Sequence, residues 1–231
     1  MSQTDSFIDE VTEEVRRDRL FALMRRYGWI AVTVVLVLVG GAAYNEWTKA
    51  QERAKAEALG DSMLNALQLE DDAARAEALG AIDAPNPAAT ALVDLLTAAE
   101  LASSDPAAAA TRLLALADSP DATPIYRQIA TLKAASLPGT DLSVEDRRTR
   151  LDGLALGTGL MRMLAEEQLA YMDIDAGNSD AAMERMQQIV ADATVTPGLR
   201  RRASQVIVAL GGTLPDAPAA TDADTGATAQ E

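Results

Sequence analysis

The 231-residue chain has no cysteine and no histidine, carries a net charge of −15 and draws only 3% of its residues from Phe, Trp and Tyr. The two absences remove the thiolate, the imidazole base and the preferred ligands of zinc and copper, together with structural disulfides and any cysteine-linked lipid anchor. Met1 to Arg26 holds five basic and six acidic residues, which leaves 15 against 29, a balance of −14, in the remainder. A surface of that sign repels phosphate backbones, which argues against nucleic acid as a partner and favours basic polypeptide segments.

Phe7, Ile8, Val11 and Val15 recur at helical spacing among acids and arginines and predict a short amphipathic helix within a cytoplasmic segment over 1–26. Seventeen residues without a charge follow from Gly28 to Tyr44. At ~1.5 Å per residue such a helix reaches roughly 25 Å, enough to cross a ~30 Å hydrocarbon slab with local thinning and snorkelling arginines. A single transmembrane helix is expected over 27–45, with Gly28, Trp29, Ile30, Val34, Leu36, Leu38, Tyr44 and Trp47 as its anchoring residues and the two tryptophans at the interfaces. Arg16, Arg17, Arg19, Arg25 and Arg26 precede the span, against Lys49, Arg53 and Lys55 after it, which puts the N-terminus in the cytoplasm. A cleaved signal peptide ending near Gly41-Ala42-Ala43 and a buried core helix are the competing readings. The first fits poorly with a long, acid-rich leader.

The remainder is rich in alanine and leucine, so an all-α body is expected over 46–212. The patterning predicts helices over 45–69, 71–82, 88–103, 106–118, 124–137, 143–156, 160–176, 180–193 and 198–210. Helix starts after Pro87 and Pro124, near Gly159 and after Pro197 recur at close to 37 residues. An internal match at an offset of 73 pairs Leu96 with Leu169, Ala109 with Ala182, Leu113 with Met186, Leu116 with Ile189 and Pro124 with Pro197. That interval suits two helical hairpins, hence a tetratricopeptide-like α-solenoid. In its best unit Ala170 and Ala182 permit close approach while Leu169, Met186 and Ile189 fill the space between hairpins. Gly177-Asn178 ends one helix, Ser179 or Asp180 caps the next, and Pro197 opens the last. That last helix is expected to be a terminal cap, with Leu199, Ala203, Val206, Ile207 and Leu210 inward and Arg200, Arg201 and Arg202 largely outward. Residues 213–231 contain almost nothing large and apolar and predict a disordered acidic tail.

No catalytic, metal or cofactor site emerges. Glu13-Glu14, Asp71-Asp72 and Glu166-Glu167 are adjacent acids that point in different directions on a helix and predict a solvated face. Gly157-Thr158-Gly159 lacks a preceding strand and a lysine, so it is a loop before a helix. Association with other polypeptides is the function class that remains, through a groove faced by Asp94, Ala98 and Leu101 on one helix and Glu167, Tyr171 and Ile174 on its counterpart.

Arg26-Tyr27-Gly28 before the span, Tyr44 and Trp47 at its far end, and Gly177-Asn178-Ser179-Asp180-Ala181-Ala182 followed by Asp192 and Val195-Thr196-Pro197 resemble the YfgM-type family, the ancillary subunits of the bacterial SecYEG translocon. The resemblance covers about Arg17 to Gly211. It implies a single-pass inner-membrane protein with a periplasmic domain that works beside SecYEG with a membrane-anchored periplasmic chaperone and handles newly exported clients. The arginine-rich leader, the scarcity of aromatic residues and the acidic tail depart from that pattern. A scaffold for another inner-membrane or envelope complex is the second reading.

Overall fold

The computed structural model describes the backbone of residues 4–214 and, Ala31 apart, the side chains from Met24 to Leu214. Among these residues the chain is all-helical: α1 (Thr4–Leu67), α2 (Asp72–Gly80), α3 (Pro87–Ser104), α4 (Pro106–Ala117), α5 (Pro124–Ser136), α6 (Val144–Ala155), α7 (Gly159–Asp175), α8 (Ser179–Ala191) and α9 (Pro197–Ala209). From α2 onward the sequence places every helix end within two residues of its observed position. The start of the chain differs. The short amphipathic helix and the helix over 45–69 are parts of one unbroken α1, because no proline interrupts backbone hydrogen bonding. The side chains of Phe7, Ile8, Val11, Val15, Arg16, Arg17 and Arg19 lie outside the described residues, as does the tail from residue 215.

The helix boundaries have local causes. Asp71, Asn86, Asp105 and Ser143 each accept a hydrogen bond from a backbone N–H in the first turn of the helix they open, at 2.9, 2.9, 2.9 and 3.0 Å. Prolines 87, 106, 124 and 197 occupy the first helical turn, where no donor is needed. Helix α7 ends in a Schellman turn: Asn178 N–H donates to the Asp173 carbonyl at 2.8 Å and Gly177 N–H to that of Ile174 at 2.9 Å. Gly177 sits at φ 77°, a conformation that a side chain would strain. Helix α8 is opened by Asn178, without a side-chain cap, and not by Ser179 or Asp180. The backbone of Asn178 is already committed to closing α7.

The chain divides into two units, residues 1–60 and 61–231. In the second, each helix from α2 to α9 packs on its neighbours in sequence, and α3 also meets α5 as α5 meets α7. The core is strung along the chain in successive clusters. Ala91, Leu113, Leu116 and Ala130 knit α3, α4 and α5. Ala135, Leu151, Ala165 and Leu169 join α5, α6 and α7. Ala170, Ala182, Met186, Ile189, Leu199 and Ile207 close α7, α8 and α9. Burying each large aliphatic here stabilises by about 1.5–3 kcal/mol, and the alanines let helices approach closely.

The internal repeat has two registers. Ala109, Leu113, Leu116 and Ala130 on α4 and α5 are buried, and so are Ala182, Met186, Ile189 and Ala203, 73 residues on. On α2 and α3 the buried set Leu79, Ala91, Val93, Thr97 and Ala98 returns as Leu151, Met163, Ala165, Leu169 and Ala170, 72 residues on. The counterpart of Leu169 is therefore Thr97, and the pairing of Leu96 with Leu169 is one residue out of register. The extra residue lies in the α7–α8 turn through Ala176, Gly177 and Asn178, where α3 and α4 are separated by Asp105 alone.

Candidate functional site

The first unit contains a stretch of α1, from Gly28 to Tyr44, that carries no charge on any side. Every described side chain from Val32 to Val39 is exposed, with Leu36, Val37 and Leu38 at 66–68%. The core-helix reading therefore fails, since none of the described residues buries this surface. Among the described residues this is the one helix long and apolar enough to cross a membrane. Trp29 and Trp47 are 67% and 59% exposed, the Tyr44 and Trp47 rings lie 6.2 Å apart, and the Arg26 guanidinium stands 5.8 Å from the Tyr27 ring centroid. These amphipathic groups sit at the two ends of the apolar stretch, where an aqueous boundary would meet it.

In the second unit the six residues expected to share a groove separate. Ala98 and Glu167 are buried, at 2% and 3% exposure, which removes both from any open face. Leu101 packs at the margin of the α3–α5 cluster, and Tyr171 and Ile174 at that of the α7–α9 cluster. Asp94 and Leu101 border one cavity, Ala98 a second and Tyr171 a third. The one-residue register shift explains the miss: the true counterparts of Glu167, Tyr171 and Ile174 are Leu95, Ala99 and Ala102. Those three line a 240 Å³ cleft against α5.

Of the paired acids, Glu166-Glu167 is drawn into ion pairs instead of a solvated face, Asp71 is exposed as expected, and the side chains of Glu13-Glu14 lie outside the described residues. Glu167 accepts from Arg202 Nε and Nη2 at 2.7 and 2.8 Å and from the Tyr171 hydroxyl at 3.3 Å, so Arg202, although exposed, reaches onto α7. Its neighbour Glu166 takes Arg185, which also donates to Asp173 at 2.9 Å, and Asp173 in turn holds Arg148 at 2.6 Å. Burial pushes the Asp173 carboxyl up, but hydrogen bonds and charge from Arg148 and Arg185 outweigh it and hold the group below the usual carboxylate range. Burial and the Glu167 charge raise Tyr171. Asp71 caps α2, while Asp72 pairs with Arg75, which reaches Glu100 of α3 at 2.6 Å. These guanidinium links were not read from the sequence. The signal was the recurrence of Arg112 as Arg185 at the repeat distance of its helix.

A slot of about 980 Å³ lies between α3 and α4, bordered by Asp94, Leu101, Arg112 and Ala115 and by residues of the loops at 84–87 and 119–122. Asp94 Oδ1 accepts from Arg112 Nη1 at 3.0 Å. A second pocket of 380 Å³ lies between the end of α5 and α7. Gly157-Thr158-Gly159 forms the turn into α7, with Gly159 at φ 70°. Among the described residues no group of three or more acidic side chains is placed to hold a metal ion. Comparison with protein-family models, with curated proteins and with solved structures returns no match.

Proposed function

We propose that the chain is a membrane-anchored protein-interaction module: α1 is a single-pass anchor with a cytoplasmic N-terminus, and a tetratricopeptide-like stack of helical hairpins binds other polypeptides on the far side. The observation that carries this reading is the coupling of an uncovered apolar helical stretch to a body whose helices pack in chain order and repeat with a two-hairpin period. In such stacks alternate helices line a common face, and the contacts of α3 with α5 and of α5 with α7 support that reading here. The absence of histidine and cysteine from the whole chain, and of a metal-binding cluster among the described residues, speaks for association over catalysis.

The finer assignment follows the resemblance of the span-flanking residues and of the 177–197 segment to translocon-associated proteins. On it, the module stands beside SecYEG in the inner membrane and passes exported polypeptides to a membrane-anchored periplasmic chaperone. Photo-crosslinking from Leu95 and Met172 in native membranes tests this. Recovery of translocon subunits and exported clients is the expected result. Consistent recovery of a different envelope complex, with translocon subunits missing, would replace the assignment with a scaffold role.

A further inference from the structure

The two halves of the body solve the same seam differently. In the second half Arg162 of α7 reaches Asp192 after α8, with Nη2 2.5 Å from Oδ2. The structural counterparts of these residues in the first half, at 72 and 73 residues, are Thr90 and Ser119, which are too short to meet. Glu166 and Asp173 both grip Arg185, whereas in the first half Asp94 alone grips Arg112, because Leu101 stands where Asp173 does. Gln188 is likewise replaced by Ala115. Small side chains at these positions are what leave the 980 Å³ slot open.

We propose that this slot is the client site of the interaction module, and that it takes an arginine or lysine side chain carried on an extended segment with small or apolar neighbours. The proposal rests on the interaction reading above and specifies its ligand. Asp94 and Asp121 face the slot against the single cation Arg112, within a body that is itself strongly acidic. Asp94 uses one oxygen for Arg112, and its Oδ2 accepts no bond from the described residues. Burial raises the Asp94 carboxyl, with Arg112 opposing, so its charge is under-compensated in the free protein. A cation delivered by a partner supplies here what Arg162 and its neighbours supply internally in the other half. Ala91, Leu101 and Ala115 offer the aliphatic stem and its flanks an apolar wall. The volume falls within the range of pockets that enclose a ligand side chain and its surroundings.

The test uses the full-length chain in nanodiscs and fluorescence anisotropy of a labelled Ala/Leu dodecapeptide with one central arginine. The same peptide with glutamate in its place serves as comparison. The arginine peptide should bind, and Asp94→Asn should weaken it about tenfold. Thr90→Arg with Ser119→Asp should abolish binding, because it writes the second half's closing pair into the first. Circular dichroism of both variants establishes that they are folded. Equal binding of the glutamate peptide, or undiminished binding by the folded Thr90→Arg/Ser119→Asp protein, overturns the slot. If crosslinked clients in membranes survive that double substitution, the slot is refuted while the interaction reading stands. If the wild-type chain crosslinks no partner at all, both fall.

Discussion

Arg202 lays its guanidinium flat against Glu167, bonding both carboxylate oxygens at 2.7 and 2.8 Å, so that the last helix is fastened to α7 across 35 residues of sequence. The Glu167 side chain is 4% exposed and Arg202 48%, so the two partners are not equivalent. Arg202→Ala strands a buried carboxylate and should cost about 3 kcal/mol, while Glu167→Gln leaves a neutral hydrogen-bonding group and should cost about 1 kcal/mol. Urea denaturation of the two single variants and the double variant checks this. The double should be less destabilised than the sum of the singles.

Asp173 sets the response to acid. Its folded pKa is lowered, so as pH falls the unfolded chain takes up its proton first, at about pH 4, and the stability held above that point is lost as pH descends through the folded value. Asp94 acts in the opposite sense. Its folded pKa is raised, so it penalises folding at neutral pH, and that penalty is relieved on acidification through its folded value toward the ordinary one. Thermal melts between pH 7 and 3 should show a decline near the bottom of this range that is shallower in Asp173→Asn. At pH 7 that variant should lose about 2 kcal/mol from the paired network.

Two glycines separate backbone conformation from space. Gly177 has φ 77° with nothing within 4 Å of an added Cβ, so Gly177→Ala should cost about 1 kcal/mol through strain alone. Gly153 lies inside α6 with equally open surroundings and no positive φ, so Gly153→Ala should stabilise by about 0.5–1 kcal/mol. Opposite shifts in melting temperature are the expected readout.

Ala182 is fully buried in the cluster that holds Ala170 and Met186. Ala182→Leu should overpack the α7–α8 contact and cost about 1–3 kcal/mol, visible as a lower denaturation midpoint with an unchanged slope.

Reporter fusions decide the orientation of α1. A fusion after residue 212 should be active only with a reporter that works outside the cytoplasm, and one at the N-terminus only with a cytoplasmic reporter. The reverse pattern would overturn the anchor's direction, and a chain cleaved behind Ala43 would overturn the anchor.

The helices were legible because their ends are marked by residues with one strong preference: Asn86 and Asp105 as caps, prolines 87, 106, 124 and 197 at first turns, and Gly177 at a left-handed turn. Core positions such as Ala109, Leu113, Ala182 and Ile189 were legible for the same reason, since only one face of each helix can be buried. The groove was not. Its faces differ by a single residue, about 100° of rotation on a helix, and the residue added at the α7–α8 turn shifts the two halves by that amount. Ala98 was therefore placed on a surface when it lies in the core. The guanidinium links between helices escaped because a residue's charge says nothing of its partner when that partner is 12 to 35 positions away.

That spacing has a bearing on how the body comes into being. Among the described residues every ion pair joins positions no more than 35 apart, and each helix from α2 to α9 rests on those next to it within that set. No early segment waits for a distant late one. A polypeptide arranged this way can consolidate progressively, hairpin by hairpin, as it leaves a narrow conduit, and it can come apart in the same order when pulled from one end.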